Sequence, residues 1–239
     1  MALLGLAGSA ILVHTRRSSR RGLSSRARSE RDGARRRPIE AALHELRSLI
    51  ESSTAERWPG FRQALAQLRE PREEVRMWGT RLLGRIANQS EEAASAVRSE
   101  LAVFIREASS SRPSPDLAGP LAALSSPRVP RDVQLAAAVL GRCGGGGEVD
   151  LRGVDLRGVD LGGANLEGAD LSSARLDGAS FLGARLRGAN LRAASLRGAL
   201  LGRADLEGAD LRDAELNNAL LSASFVGADL RGAQLRGAF

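Results

Sequence analysis

The sequence holds no lysine and no tyrosine among its 239 residues, one cysteine, two histidines, and only five Phe and two Trp as aromatic side chains. With Cys143 alone, no intrachain disulfide exists and nothing calls for an oxidising compartment. No His or Lys stands near Cys143 in sequence to lower its pKa, so it reads as a small residue at a helix end rather than a reactive thiol. His14 and His44 are too few and too far apart for a metal centre or a catalytic pair. No nucleophile–base pair is present, and no phosphate-binding glycine loop precedes a helix, which argues against an enzyme and against a bound cofactor. With so few rings, any core must be built from Leu and Ala. All 35 basic residues are Arg, which reads as the coding bias of a GC-rich genome.

The net charge of +7 is unevenly placed. Residues 1–37 carry ten Arg against Glu30 and Asp32, residues 38–147 fourteen Arg against thirteen acids, and residues 148–239 eleven Arg against thirteen acids. The basic character therefore belongs to a leader. Residues 1–15 are free of charge, with an apolar run from Ala2 to Val13, and Arg16, Arg17, Arg20 and Arg21 follow at once. A secretory signal has the opposite order, basic before apolar. As a helix the run spans about 20 Å, short of the ~30 Å hydrocarbon core. It is expected to be an interfacial membrane anchor or the end of a longer membrane helix, with everything downstream in the cytoplasm. A transit peptide is the alternative. Residues 16–37, rich in Arg and Ser, read as a disordered arm that anionic lipid headgroups would attract through Arg16, Arg17, Arg20 and Arg21. No aromatic is interleaved for base stacking, so nucleic acid is not the expected partner.

Residues 38–143 carry helical periodicity. Ile39, Ala42, Leu46, Leu49 and Ile50 form one stripe, and Phe61, Leu65 and Leu68 a second. Pro71 sits as a first-turn proline ahead of a third stripe, Val75, Trp78, Leu82, Leu83 and Ile86. Val97, Leu101, Phe104 and Ile105 form a fourth, and 111–130, with five prolines, is a loop. A last helix is expected near 132–142, ended by the glycines of a 144–148 linker.

From Val149 the period is five. A central residue recurs from Leu151 to Leu235 in eighteen repeats, sixteen of them Leu and the other two Phe181 and Phe225. Two positions before it stand Val149, Val154 and Val159, then Ala at all fifteen later repeats. Such a period is an architecture. The pattern, clearest in Ala164-Asn165-Leu166 and Ala169-Asp170-Leu171, resembles the pentapeptide-repeat family over residues 149–238. The segments Phe61–Ser110 and Val129–Cys143 resemble the helical region that precedes the repeats in bacterial membrane-associated members. The resemblance implies an α+β chain: an N-terminal helical region, then a right-handed quadrilateral β-helix over 149–239, one repeat per side and four per coil. It also implies that the central residue and the one two before it point inward, the other three outward. Leu151, Leu171, Leu191 and Leu211 then stack as core on one side, with Phe181 and Phe225 inward on others.

The physics agrees with that picture. Four Leu per coil leave room only for a small second residue, and Gly two positions after the centre supplies the positive φ of a tight corner. Coils stacked at about 4.8 Å make a rod of about 21 Å. The 132–142 helix is the expected lid over the first coil. Leu221 to Phe225 is a four-residue step, so the regular geometry should break at 221–224, with Phe225 still inward and Leu230 back in line with Leu211.

Sorted by side, the outward residues differ. One side stacks Asp150, Asp170, Asn190, Asp210 and Asp229 beside Arg152, Ser172, Arg192, Arg212 and Arg231, a solvated face in which Arg offsets repulsion between acids. A cation site there is argued against by the adjacent Arg. The third side carries Leu182, Leu200 and Leu220 outward, an apolar stripe expected to meet the helical domain or another chain. The far end lacks an evident cap, which makes it the candidate face for a homodimer. The expected function is a non-enzymatic scaffold or protein-binding module held at the cytoplasmic face of a membrane. Some members of the family mimic DNA and act on topoisomerases, so a soluble protein of that kind is the alternative.

Overall fold

The structure is a computed structural model and describes residues 57–110, 129–143 and 149–239. The expected anchor, the Arg-rich arm, the 39–50 stripe, most of the proline-rich loop and the glycine linker lie outside these residues. The chain divides into two units, Met1–Ile50 and Glu51–Phe239, and all that follows concerns the second.

Among the described residues four helices precede the repeats: α1 (Phe61–Leu68), α2 (Glu73–Ala87), α3 (Glu91–Ser110) and α4 (Arg131–Arg142). Trp58 packs edge-on against Phe61, with ring centroids 5.7 Å apart. The chain bends after α1, and α2 starts at Glu73, so Pro71 lies just before the helix rather than in its first turn. Glu73 and Glu74 stand at the positive end of the α2 dipole and Arg85 at its negative end. Ser90 starts α3 by accepting a hydrogen bond from the Ala93 N–H at 3.1 Å. The Arg76 guanidinium ties three segments together: it donates to the carbonyls of Glu70 and Pro71 beyond α1 and pairs with the buried carboxylate of Asp132 in α4 at 2.6 Å.

One expectation about this core is corrected. The apolar stripe of α2 was read through Trp78, but Trp78 is 65% exposed. The buried face runs through Gly79, Thr80, Leu83, Ile86 and Ala87 instead. Gly79 explains the rotation. A Cβ there would stand 2.7 Å from the Ala64 carbonyl oxygen, so α1 and α2 touch through the glycine and Trp78 is turned outward.

Residues 149–239 wind into a four-sided coil. Parallel bridges link residues twenty apart, as in Asp150↔Asp170↔Asn190↔Asp210, so four repeats make one turn. No strand longer than one residue forms among the described residues: each side of the β-helix is a column of isolated bridges. The reason is the length of a side, since a five-residue repeat spends most of its residues on corners. Inward residues are Leu and Ala, as the family resemblance implied. Leu151, Leu171, Leu191, Leu211 and Phe181 are all buried.

The backbone donors of one repeat are all accounted for. In the repeat centred on Leu171, the Leu171 N–H donates to the Asn190 carbonyl of the next coil and the Asp170 N–H to Val149 of the previous one, both at 2.8 Å. The Ser173 N–H donates forward to Arg192 at 2.9 Å, and the Ala174 N–H closes the corner on the Leu171 carbonyl at 3.1 Å. The fifth, the N–H of Ser172, donates to the side chain of Asp170 at 3.0 Å.

Corner residues two positions after the centre are left-handed throughout. Most are Gly, such as Gly153 at φ 64°, but Ser173, Ala193, Arg203, Asp213 and Asn218 adopt the same conformation. The four-residue step removes this corner residue from the Leu221 repeat. The corner is closed one residue sooner, by the Ala223 N–H on the Leu221 carbonyl at 2.5 Å, where other repeats use the third residue on. Register then recovers: Leu211 donates to Asp229 at 2.8 Å, which places Leu230 over Leu211. Phe225 packs against the core and is half-buried.

The first coil is covered by α4. In later coils the residue before the centre donates to a carbonyl of the coil beneath, and the first coil has none beneath it. Gly141 near the end of α4 supplies the missing acceptor, taking the Asn165 N–H at 2.7 Å. Gln134 does the same for a second side. Its amide donates to the Asp160 carbonyl at 2.9 Å and accepts the Asp160 N–H at 3.0 Å, so a side chain stands in for a strand. Val149, Val154 and Val159 fill the wider interior under this lid and are buried.

The lid leaves no room for a side chain at Gly141. A Cβ there would meet the Ala164 Cβ at 2.5 Å and its Cα at 3.1 Å. Gly141→Ala is therefore expected to lift α4 off the first coil and cost about 1–3 kcal/mol despite its better helix propensity. Denaturant unfolding of the full chain checks this; a variant as stable as the parent would contradict the lid contact.

Candidate interaction surface

The acid–base face is built repeat by repeat. Its Asp or Asn accepts from the N–H two residues on: Asp150 from Arg152 at 3.2 Å, Asn190 from Arg192 at 3.1 Å, Asp210 from Arg212 at 3.1 Å and Asp229 from Arg231 at 3.1 Å. This is an Asx turn. These acids are thus more than the solvated ladder expected from their spacing; the recurrence of only Asp or Asn at that position on this side is the trace their structural role leaves in the sequence. Arg152, Arg212 and Arg231 then fold back in bidentate pairs on the acid of their own repeat, as Arg212 does on Asp210 at 2.8 and 2.6 Å. Between coils the contacts are longer, 3.9 Å from Arg152 to Asp170 and 3.7 Å from Arg212 to Asp229. On the next side Asp155 was expected in solvent, yet it is buried, held by Arg157 in the same bidentate fashion. Among the described residues no three His, Cys, Asp or Glu side chains gather as a metal site.

Electrostatics follow the pairing. The hydrogen bond from Arg152 holds the Asp150 carboxyl well below the usual carboxylate range, with Arg106 of α3, also paired with Asp150, adding to it. The hydrogen bond from Arg212 brings Asp210 down to about 2. Asp229 is lowered by Arg231 in the same way. Burial pushes the Cys143 thiol up, so it is not a thiolate at neutral pH.

The third side carries the predicted stripe. Leu200 and Leu220 are bridged in one column above Ser180, and Leu182 leans beside them toward the next coil, where a Cβ at Gly202 would stand 3.0 Å from its Cδ2. Leu182 is 52% exposed, Leu220 46%, and Leu200 half-buried. The expectation that the helical domain covers this stripe is corrected among the described residues: α4 sits over the end of the rod, through Gly141 and Gln134, and the leucines of the side wall stay open to solvent. The stripe lacks the Asx device beyond Asp160, so the N–H groups of Leu182 and Gly202 donate to no described residue. At the far end Leu230 is half-buried, Leu235 exposed and Phe239 83% exposed.

Comparison with known proteins identifies the repeat. A family model for pentapeptide repeats matches residues 150–188 and 184–222, with eight copies of the repeat. No curated protein gives a significant match. A solved pentapeptide repeat protein of Nostoc PCC 7120 is 35% identical, with 37% of this chain and 82% of that one covered and a TM-score of 0.22. Rfr23 of the cyanobacterium Cyanothece 51142 is 28% identical over 41% of this chain and 67% of its own, at a TM-score of 0.38. A pentapeptide repeat protein from the Arabidopsis thaliana thylakoid lumen is 39% identical over 34% of this chain, which spans 65% of the relative's length, at a TM-score of 0.25. The fold is that of a repeat-built solenoid with a helical lid, and the repeats place it: the chain belongs to the pentapeptide-repeat family.

The pairing of Asp210 makes a pH prediction. Its carboxyl titrates near 2 in the folded chain and near 3.9 unfolded, so the unfolded state binds more protons between these values. Stability from this pair is present above about pH 4 and lost as pH falls toward 2. Asn already occupies the equivalent position at Asn190, so Asp210→Asn keeps the Asx turn and removes the ion pair. It should cost under about 1 kcal/mol at neutral pH, because the pair is solvent-screened, and should flatten the acid limb of stability. Melting temperature measured from neutral pH down to pH 2 reads both effects; an acid limb as steep as the parent's would contradict the assignment.

Proposed function

We propose that the chain is a non-enzymatic scaffold whose rod binds a protein partner along the third side and whose leader holds it at the cytoplasmic face of a membrane. The observation that carries this reading is the exposed Leu182–Leu200–Leu220 stripe, with the N–H groups of Leu182 and Gly202 beside it. Apolar contacts and directed donors on one flat wall are what an extended protein segment requires. The coil holds these residues rigidly, so binding would cost little ordering on the scaffold's side. The tether rests on the apolar run and the Arg cluster of residues 1–21, which lie outside the described residues; no described helix is long and apolar enough to cross a membrane. A second copy meeting the open far end, at Leu235 and Phe239, is the proposed route to a homodimer. The alternative, a DNA mimic acting on a topoisomerase, needs a continuous acidic surface. The bidentate Arg pairs on Asp150, Asp155, Asp210 and Asp229 weigh against it.

Capture from lysate compares the full chain with Leu182→Glu/Leu220→Glu. Both side chains point outward, so the variant should melt within about 1 kcal/mol of the parent in stability. It should lose the retained partner, or hold it at least tenfold more weakly. A partner kept equally by parent and variant would overturn the stripe as the binding face.

A further inference from the structure

A cleft of about 280 Å³ lies between α2 and α4, away from the leucine stripe. Arg81 and Arg85 of α2 and Arg142 of α4 line it together with Asn88, and Gly84, Leu135, Val139 and Cys143 make the apolar part of the lining. The glycine sets the close approach of the two helices, since a Cβ at Gly84 would stand 3.2 Å from Val139 Cγ1. Among the described residues no carboxylate lines the cleft, and none of the three arginines forms an ion pair with another described residue. Arg152, Arg157, Arg212 and Arg231, by contrast, each close on an Asp of their own repeat.

Arg85 and Arg142 each stand in the last turn of a helix, where a cation offsets the helix dipole. That accounts for either one alone. It does not account for Arg81 joining them around one concavity without an acid. Trp78 adds an independent observation. It lies on the same face of α2, one turn before Arg81 and two before Arg85, and its indole is 65% exposed. An exposed indole beside guanidinium groups with no described acid partner matches the interface of a bilayer: Trp sits at headgroup depth, and Arg pairs with phosphate through a planar fork.

We propose that the Trp78–Arg81–Arg85–Arg142 face of the helical lid docks on an anionic phospholipid surface, with the headgroup phosphate seated in the cleft. This is a second membrane contact, separate from the leader and independent of it. The two together would fix the orientation of the rod against the bilayer, which a single point of attachment cannot do.

Tryptophan emission of the full chain tests this directly, because Trp58 is buried and Trp78 reports the lid. Vesicles of phosphatidylcholine and phosphatidylglycerol in equal parts should shift the emission to shorter wavelength and shield it from iodide. Pure phosphatidylcholine should not, and Trp78→Phe should abolish the shift. Each charge near the surface contributes roughly fivefold in affinity, so Arg81→Gln/Arg85→Gln/Arg142→Gln should raise the lipid concentration needed for the shift about a hundredfold. All three side chains are exposed, and an unchanged melting curve verifies the fold. Co-sedimentation reads the leader separately, and its survival in the triple variant separates the two contacts. No shift with anionic vesicles, or an equal shift in the triple variant, overturns the proposal. The same response to soluble glycerol phosphate without vesicles overturns lipid docking and assigns the cleft to a free phosphate ester.

Discussion

A repeat of five residues cannot satisfy its own backbone. Of the five N–H groups in the Leu171 repeat, three are taken by the coils above and below, and only the corner and Asx bonds are local. Each coil is therefore a polar ring until another is laid upon it, and the Leu and Ala inside it lack a closed core until then. The stability of the rod is accordingly a property of stacking, and its ends decide how far stacking holds.

The two ends are treated differently. At the start, the carbonyl of Gly141 and the amide of Gln134 reproduce what a preceding coil would have offered, and Arg106 reaches the first acid of the ladder. The helical domain is thus a template for the first turn as well as a neighbour. At the finish the cover thins: Leu230 is half-buried, Leu235 is 43% exposed and Phe239 83% exposed. The four-residue step falls one coil before this end. The Leu221 repeat gives up its left-handed corner residue, and the corner closes through a tighter bond. Register survives because the residue removed lies outside the core: Ala223 and Phe225 still occupy inward positions.

Much of this was legible in the sequence because the constraint is periodic. Leu and Ala recur at fixed spacing, the family resemblance makes those the inward positions, and the break at Leu221 was visible as arithmetic. What escaped was set by contacts between elements far apart in sequence. Trp78 looked like a core residue at helical spacing, and only the touch of Gly79 on Ala64 turns it to solvent. Asp155 looked like any outward acid, but Arg157 folds over it. The Asx turn was hidden because its partner is a backbone N–H, which leaves no trace in residue type beyond the choice of Asp or Asn. Gln134 and Gly141 could not have been picked out, since their role exists only against Asp160 and Asn165. Of the surfaces, the leucine stripe was legible from side-sorting; its being left open by the lid was not. The basic cleft needed α2 and α4 side by side before its three arginines could be seen as one group.

The claim on which the rest depends is that the lid supplies the missing coil. Amide hydrogen exchange resolved by residue tests it, because exchange reads whether each N–H has a lasting acceptor. The account predicts that Asn165 and Asp160 exchange as slowly as Asn190 in the middle of the rod, while Leu235 at the open end exchanges far faster. Exchange at Asn165 and Asp160 as rapid as at Leu235 would contradict it.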